Sequence, residues 1–146
     1  MNEQKQYCTF YLGNLFFGVD VLKVQEVILF QDMTHVPLSS PSVSGLINLR
    51  GETVTAIDLR QRLELPSVEL PEPPKNVIIS AEGGTVSLLV DEIGDVIEPS
   101  EELLEAPPEN LSGIAKDLIT GVYKLNNNLM LVLDTERTVE FDAAIS

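Results

Sequence analysis

The chain has 146 residues, enough for one domain or for two small lobes that share a core. Nine Lys and Arg against 23 Asp and Glu give a net charge of -14, which argues against nucleic-acid binding and against docking on an anionic membrane surface. Hydrophobic residues make up 44% of the chain and aromatics only 5%, with no Trp, so the core has to be built from Val, Leu and Ile.

The N-terminal MNEQKQ has no apolar signal core. Tyr7 to Leu12 and Leu15 to Val19 flank Gly13-Asn14, which predicts a hairpin, because Gly and Asn tolerate the positive φ that tight turns need. Cys8, the single cysteine, lies in the first strand. It permits neither an intramolecular disulfide nor a thiolate metal site, and a buried, inert thiol is expected. Val24 to Phe30 predicts a third strand. Ser40 is placed to cap a turn with Pro41 at its first position. Ile47 to Asp58 predicts a strand ending at Arg50, a turn at Gly51-Glu52 and a second strand. Asp58 is placed to cap a short helix, Leu59 to Leu63, with Gln61 three residues on.

Pro66 to Lys75 (PSVELPEPPK) holds four prolines and two acids, which no helix or central strand accepts. It predicts a connector. Val77 to Ala81 and Val86 to Val90 flank Glu82-Gly83-Gly84 in a second hairpin. Ser100 is placed to cap a helix over Glu101 to Glu105, with acids at the positive end of its dipole, inside a proline-bearing loop from Pro99 to Gly113. Ile119 to Leu125 and Leu129 to Leu133 flank Asn126 to Asn128 in a third hairpin, and Asp134 is placed to cap Thr135 to Val139. Leu129 to Leu133 is the longest uninterrupted apolar run, far below the ~20 residues that span a bilayer. A reduced, cytoplasmic, soluble protein is expected.

The two halves resemble each other. Val24 to Ile28 aligns with Ile93 to Ile97, and both follow a hairpin and place an acid third. A strand, a turn, a strand and a capping Asp occur as Ile47 to Asp58 and again as Val122 to Asp134. A β module used twice, with many short strands, suggests small barrels, which close their own edges.

Catalytic parts are scarce. The only histidine, His35, sits in a loop before Pro37, away from any Ser or Cys pattern that a nucleophile needs. Gly83-Gly84 belongs to a hairpin and is not a phosphate loop. The acids of Glu98 to Glu109 lack the calcium-loop pattern and suit a solvated surface. No enzyme activity, metal or cofactor is expected. Interaction surfaces remain. Ile47 and Leu49 share one strand face and Asn48 and Arg50 the other, so an inward apolar pair sends Arg50 outward. Val24 and Glu26 likewise share a face, opposite Gln25 and Val27. Arg50 either neutralises a nearby acid such as Glu26 or Asp58, or meets a partner.

GLINLRG followed by IDLR (Gly45 to Arg60), GVDVLKVQEVI (Gly18 to Ile28), LLVDEIGDVI (Leu88 to Ile97) and LITGVYKLNNNLMLVLD (Leu118 to Asp134) together resemble the CheW family, adaptors that couple chemoreceptors to the histidine kinase CheA. The family often has proline at the place of Thr55, which implies a small change of strand-edge geometry. The resemblance implies a mainly β fold of two SH3-like five-stranded β-barrel lobes around a shared hydrophobic core, with a few short helices. Residues 1–146 would form one CheW-like domain. Lobe one would span about 1–65 plus the tail, about 136–146, and lobe two about 75–135. The resemblance places Val24, Glu26, Gly45, Asn48 and Arg50 on or near the groove that takes the receptor's helical tip. It places Leu89, Asp91, Ile93 and Val96 on or near the surface that meets the regulatory domain of CheA. It implies a non-enzymatic scaffold, monomeric alone and recruited to membrane receptor arrays, with no nucleic-acid partner and no membrane insertion. A CheW-like domain of a CheV or CheA type of protein is the alternative within the fold. A small hydrolase or ligand-binding barrel is the alternative outside it, and would need a deep polar pocket.

Overall fold

The structure is a computed structural model and describes residues 5–29, 31–37, 40–66, 68–109 and 113–140. Among these residues the order is β1 (Tyr7–Leu12), β2 (Leu15–Asp20), β3 (Val24–Ile28), β4 (Val43–Leu49), β5 (Glu52–Asp58), α1 (Leu59–Arg62), β6 (Lys75–Ala81), β7 (Gly84–Val90), β8 (Glu92–Ile97), β9 (Leu104–Glu105), α2 (Gly113–Leu118), β10 (Ile119–Lys124), β11 (Leu129–Leu133) and α3 (Thr135–Val139). The fold is mainly β with short helices, as expected. Phe30, the expected end of β3, and 141–146 of the expected tail lie outside the described residues.

Local chemistry sets most element ends. Asp58 accepts the Gln61 N–H at 3.2 Å and Asp134 accepts the Arg137 N–H at 3.1 Å, so both caps form as expected. Ser100 does not cap in this way; its hydroxyl bonds Glu102. The expected helix there is a single 3-10 turn, Glu101–Leu103, after which Leu104–Glu105 pairs with Val122 and Tyr123 of β10. A five-residue helix with no buried face is too short to sustain itself, and a ladder satisfies the backbone better. Helix α2, unexpected from sequence, buries Leu118. Leu49 pairs with Glu52, so the β4–β5 turn is Arg50-Gly51, one residue earlier than expected. Both have positive φ, 51° and 87°, the pattern of a type I′ turn. Asn48 Oδ1 accepts the Gly51 N–H at 3.0 Å and steadies it.

The strands form a six-stranded sheet, order β8-β1-β2-β11-β10-β9, and a five-stranded sheet, order β3-β6-β7-β5-β4. The two repeats are thereby interleaved. Hairpin β1–β2 joins strands of the second half, and hairpin β6–β7 joins strands of the first. Each hairpin meets its host through a parallel pair, β2 with β11 and β7 with β5. Sheet membership therefore cuts across the expected lobe ranges of 1–65 and 75–135, because a connector in sequence need not separate strands in space. Thr55 lies in the interior strand β5, between Leu46 and Val86, so the expected edge-geometry effect does not apply there.

Strand alternation distributes the apolar side chains into three clusters. Phe10, Leu12, Phe17 and Val19 of one sheet meet Ile57, Val77, Ile79, Leu88 and Val90 of the other in a shared core. Ile47, Val54, Ala56, Ile78 and Leu89 fill the far side of the five-stranded sheet. Tyr7, Phe16, Tyr123 and Met130 fill the far side of the other.

One buried arginine ties the halves together. Arg62 Nε donates to the Thr138 carbonyl at 2.7 Å, and its Nη2 donates to the carbonyls of Arg137 at 2.9 Å and Glu140 at 3.3 Å. These are carbonyls at the end of α3, which a cation satisfies and the helix dipole favours. Burial pulls the Arg62 guanidinium below its ordinary value, and it remains charged at neutral pH. Arg62→Met keeps the aliphatic stem and removes the donors. It is expected to lower the unfolding free energy by about 2–3 kcal/mol in urea titration; a change under about 0.5 kcal/mol would show that α3 holds without it.

Candidate functional site

Glu26 lies on β3 and Arg50 in the turn that follows β4, and β3 and β4 are the two edges of the five-stranded sheet. Arg50 Nη1 donates to Glu26 Oε1 at 3.2 Å and Nη2 donates to Oε2, a two-pronged fork. The fork holds the Glu26 carboxyl below the usual carboxylate range, against a smaller opposing effect of desolvation. The Arg50 side chain stays 67% exposed. Thr34 adds a second closure, exchanging backbone hydrogen bonds of 2.8 Å with Leu46 on the free side of β4.

The other residues expected at this site divide. Asn48 is exposed and shapes the turn. Val24 is half-buried and packs on the shared core. Gly45 is buried, and a Cβ there would come 2.7 Å from the Thr34 carbonyl oxygen, so its place is structural. Sequence reasoning missed Val27 and Leu29, large apolar side chains exposed on β3 and just beyond it. The alternation that set Gln25 and Val27 opposite Glu26 was the available signal. Leu29 stands on fixed backbone: Asn76 Nδ2 donates to its carbonyl at 3.1 Å, and Asn76 Oδ1 accepts the buried Ser87 hydroxyl at 2.8 Å.

The second expected group also divides. Ile93 and Val96 are exposed on β8, an edge of the six-stranded sheet. Leu89 is not a surface residue; it is buried beside Ile47, Val54, Ala56 and Ile78, because β7 is an interior strand covered on both faces. Asp91 is engaged internally, accepting the Gly13 N–H at 2.6 Å and pairing with Arg60. The two groups lie on different sheets.

Cys8 is half-buried and burial raises its thiol above the ordinary value; His35 is exposed. Among the described residues no group of three or more His, Cys, Asp or Glu side chains is placed to hold a metal ion. No helix among them is long and apolar enough to cross a membrane.

The model of the CheW-like domain matches residues 6–142. The chain belongs to the CheW-like domain family. It is 31% identical over 140 residues to the chemotaxis protein CheW of Treponema pallidum, covering 93% of this chain and 82% of that one. It is 33% identical over 133 residues to CheW of Bacillus subtilis, covering 89% and 83%. The crystal structure of the scaffolding protein TtCheW from Thermoanaerobacter tengcongensis superposes with a TM-score of 0.86 at 25% identity, over 96% of this chain and 95% of that one. The CheW-like fold and the chemotaxis scaffold family are thus shared over nearly the whole length.

Burial separates Leu89 from Val96. Leu89→Ala is expected to cost about 2–4 kcal/mol by cavity formation, whereas Val96→Ala stays within about 0.5 kcal/mol. Denaturant midpoints of the two variants check this, and equal midpoints would contradict the assignment of Leu89 to the core.

Proposed function

We propose that this CheW-like chain is a non-enzymatic adaptor that holds chemoreceptor tips and the histidine kinase CheA together at membrane receptor arrays, from the cytoplasmic side. The carrying observation is that one edge strand holds Glu26 in a fork with the exposed Arg50 and turns exposed Val27 to its other face, with exposed Leu29 just beyond its end, on a fold shared with a protein described as a scaffold. Exposed apolar side chains on one face of an edge strand, with a charged pair on its other face, suit recognition of a helix laid along that edge. Two guanidinium nitrogens engage Glu26, while the outward side of the group remains in water with donors to spare. Exposed Ile93 and Val96 supply a second surface on the other sheet, which suits the kinase's regulatory domain. The net charge of -14 gives mutual repulsion between copies and supports a monomer before assembly.

The test is reconstitution of the chain with its cognate receptor and CheA, read as kinase activation. Arg50→Glu leaves the fold intact, because exposed ion pairs add little stability, with melting shifted by less than about 4 °C. Coupling falls by roughly tenfold or more if the group orients a receptor helix. Arg50→Lys restores little, since Lys lacks the planar fork. A variant that melts much lower, with normal activation per folded molecule, would assign Arg50 to lobe closure alone.

A further inference from the structure

Interleaved repeats make the chain cross between sheets twice, from β2 to β3 and from β7 to β8. A charged pair stands at each crossing, built from corresponding places. In the first half, Arg60 lies two residues beyond the capping Asp58 and pairs with Asp91, immediately before β8. In the second, Glu136 lies two residues beyond the capping Asp134 and pairs with Lys23 at 3.6 Å, immediately before β3. The signs are exchanged, yet the third partner is conserved in kind. Asp91 accepts the N–H of Gly13, the first residue of the β1–β2 turn, at 2.6 Å. Glu136 accepts the N–H of Glu82, the first residue of the β6–β7 turn, at 2.9 Å. In both cases a carboxylate binds a crossing hairpin's tip and a cation binds the carboxylate; the helix and the crossing strand have traded charges.

The pairs differ in shelter. Side chains of Arg60 and Asp91 are 15% and 14% exposed, and Val68, Leu70 and Pro74 of the connector line the same hollow. Lys23 and Glu136 are 46% and 37% exposed, in an open hollow beside Leu22, which is 88% exposed. With Val24 aligned on Ile93, Asp91 falls opposite Leu22, so the second crossing draws its charge from the next residue out. Water and salt weaken the open pair and leave the sheltered one strong.

We propose that these are two forms of one crossover clasp, that each fixes the edge strand beginning just beyond it, and that the open Lys23–Glu136 clasp releases first, which makes the β2–β3 crossing the hinge of the molecule. Two measurements on the intact chain test this. By hydrogen exchange, β3 amides open before those of β8, and Glu136→Gln speeds β3 exchange by roughly two- to fivefold while leaving β8 unchanged. Equal protection of β3 and β8, or no effect of the variant, overturns the hinge. For interchangeability, Arg60→Glu and Asp91→Lys each lower the melting temperature by roughly 5 °C or more, and the double variant recovers at least half the combined loss. Recovery is expected because a carboxylate at position 60 takes over the Gly13 N–H as Glu136 does for Glu82. Additive losses overturn the equivalence. Should the sheltered variants not fold, the opposite exchange at the open site, Lys23→Asp with Glu136→Arg, is read by β3 exchange: restored protection in the double variant supports the clasp and additive loss of protection overturns it.

Discussion

The two central hairpins are apolar on both faces, and the architecture follows from keeping both faces dry. In β6, Val77 and Ile79 point to one side and Ile78 to the other; in β7, Leu88 and Val90 oppose Leu89. In β2, Phe17 and Val19 oppose Phe16, and in β1, Phe10 and Leu12 oppose Tyr7. A sheet packed on a single layer covers only one face. Here each sheet covers one face with the other sheet and the second with its own flanking strands. The hairpins must then be interior, and each is flanked by strands of the other repeat. Exchange of hairpins between the repeats makes each half incomplete alone, so the chain behaves as one unit in spite of its duplicated pattern.

Edges are handled by side chains and short segments. The free side of β4 receives Thr34, and the Glu26–Arg50 fork spans from β3 to the β4–β5 turn. The edge of β10 is covered by the two residues of β9. In a chain of net charge -14 the cations are few, and several stand at seams: Arg50 at a sheet's edges, Arg60 and Lys23 at the crossings, Arg62 between α1 and the end of α3. Their burial differs greatly, and so does what they can do. Arg62 is committed to three carbonyls, whereas Arg50 keeps most of its side chain in water.

What was legible in the sequence was what neighbouring residues decide. Gly13-Asn14 and Asp58 act on their own next few residues, and each produced the expected turn or cap. The face alternation of Ile47 to Arg50 also held, with Ile47 buried and Arg50 out. The misplaced features were non-local. Arg50 adopts positive φ because the register of β4 on β5 pairs Leu49 with Glu52, and register is decided by the whole hairpin. Leu89 looked like a surface residue until β7 proved to be flanked by β6 and β5. Arg60 and Arg62 carry no local signal, since their partners lie 31 and 75 to 78 residues away. The family motifs were recognisable from the chain, but they do not reveal which of their residues form clasps and which reach solvent.

The duplicated pattern also shows where the halves have parted. Glu26 and Asp95 hold the same place in the aligned edge strands, yet Arg50-Gly51 is answered in the other half by Asn126 to Asn128, which brings no cation. One edge strand therefore carries a neutralised carboxylate and exposes Val27, with Leu29 exposed just beyond it; the other carries Asp95 and exposes Ile93 and Val96. A strictly repeated molecule would offer one surface twice and bind two copies of one partner. A protein that joins two different partners needs two different surfaces. In the proposed adaptor, divergence at the edge strands and their turns supplies them while the hairpins, whose two faces must both stay dry, keep the common frame.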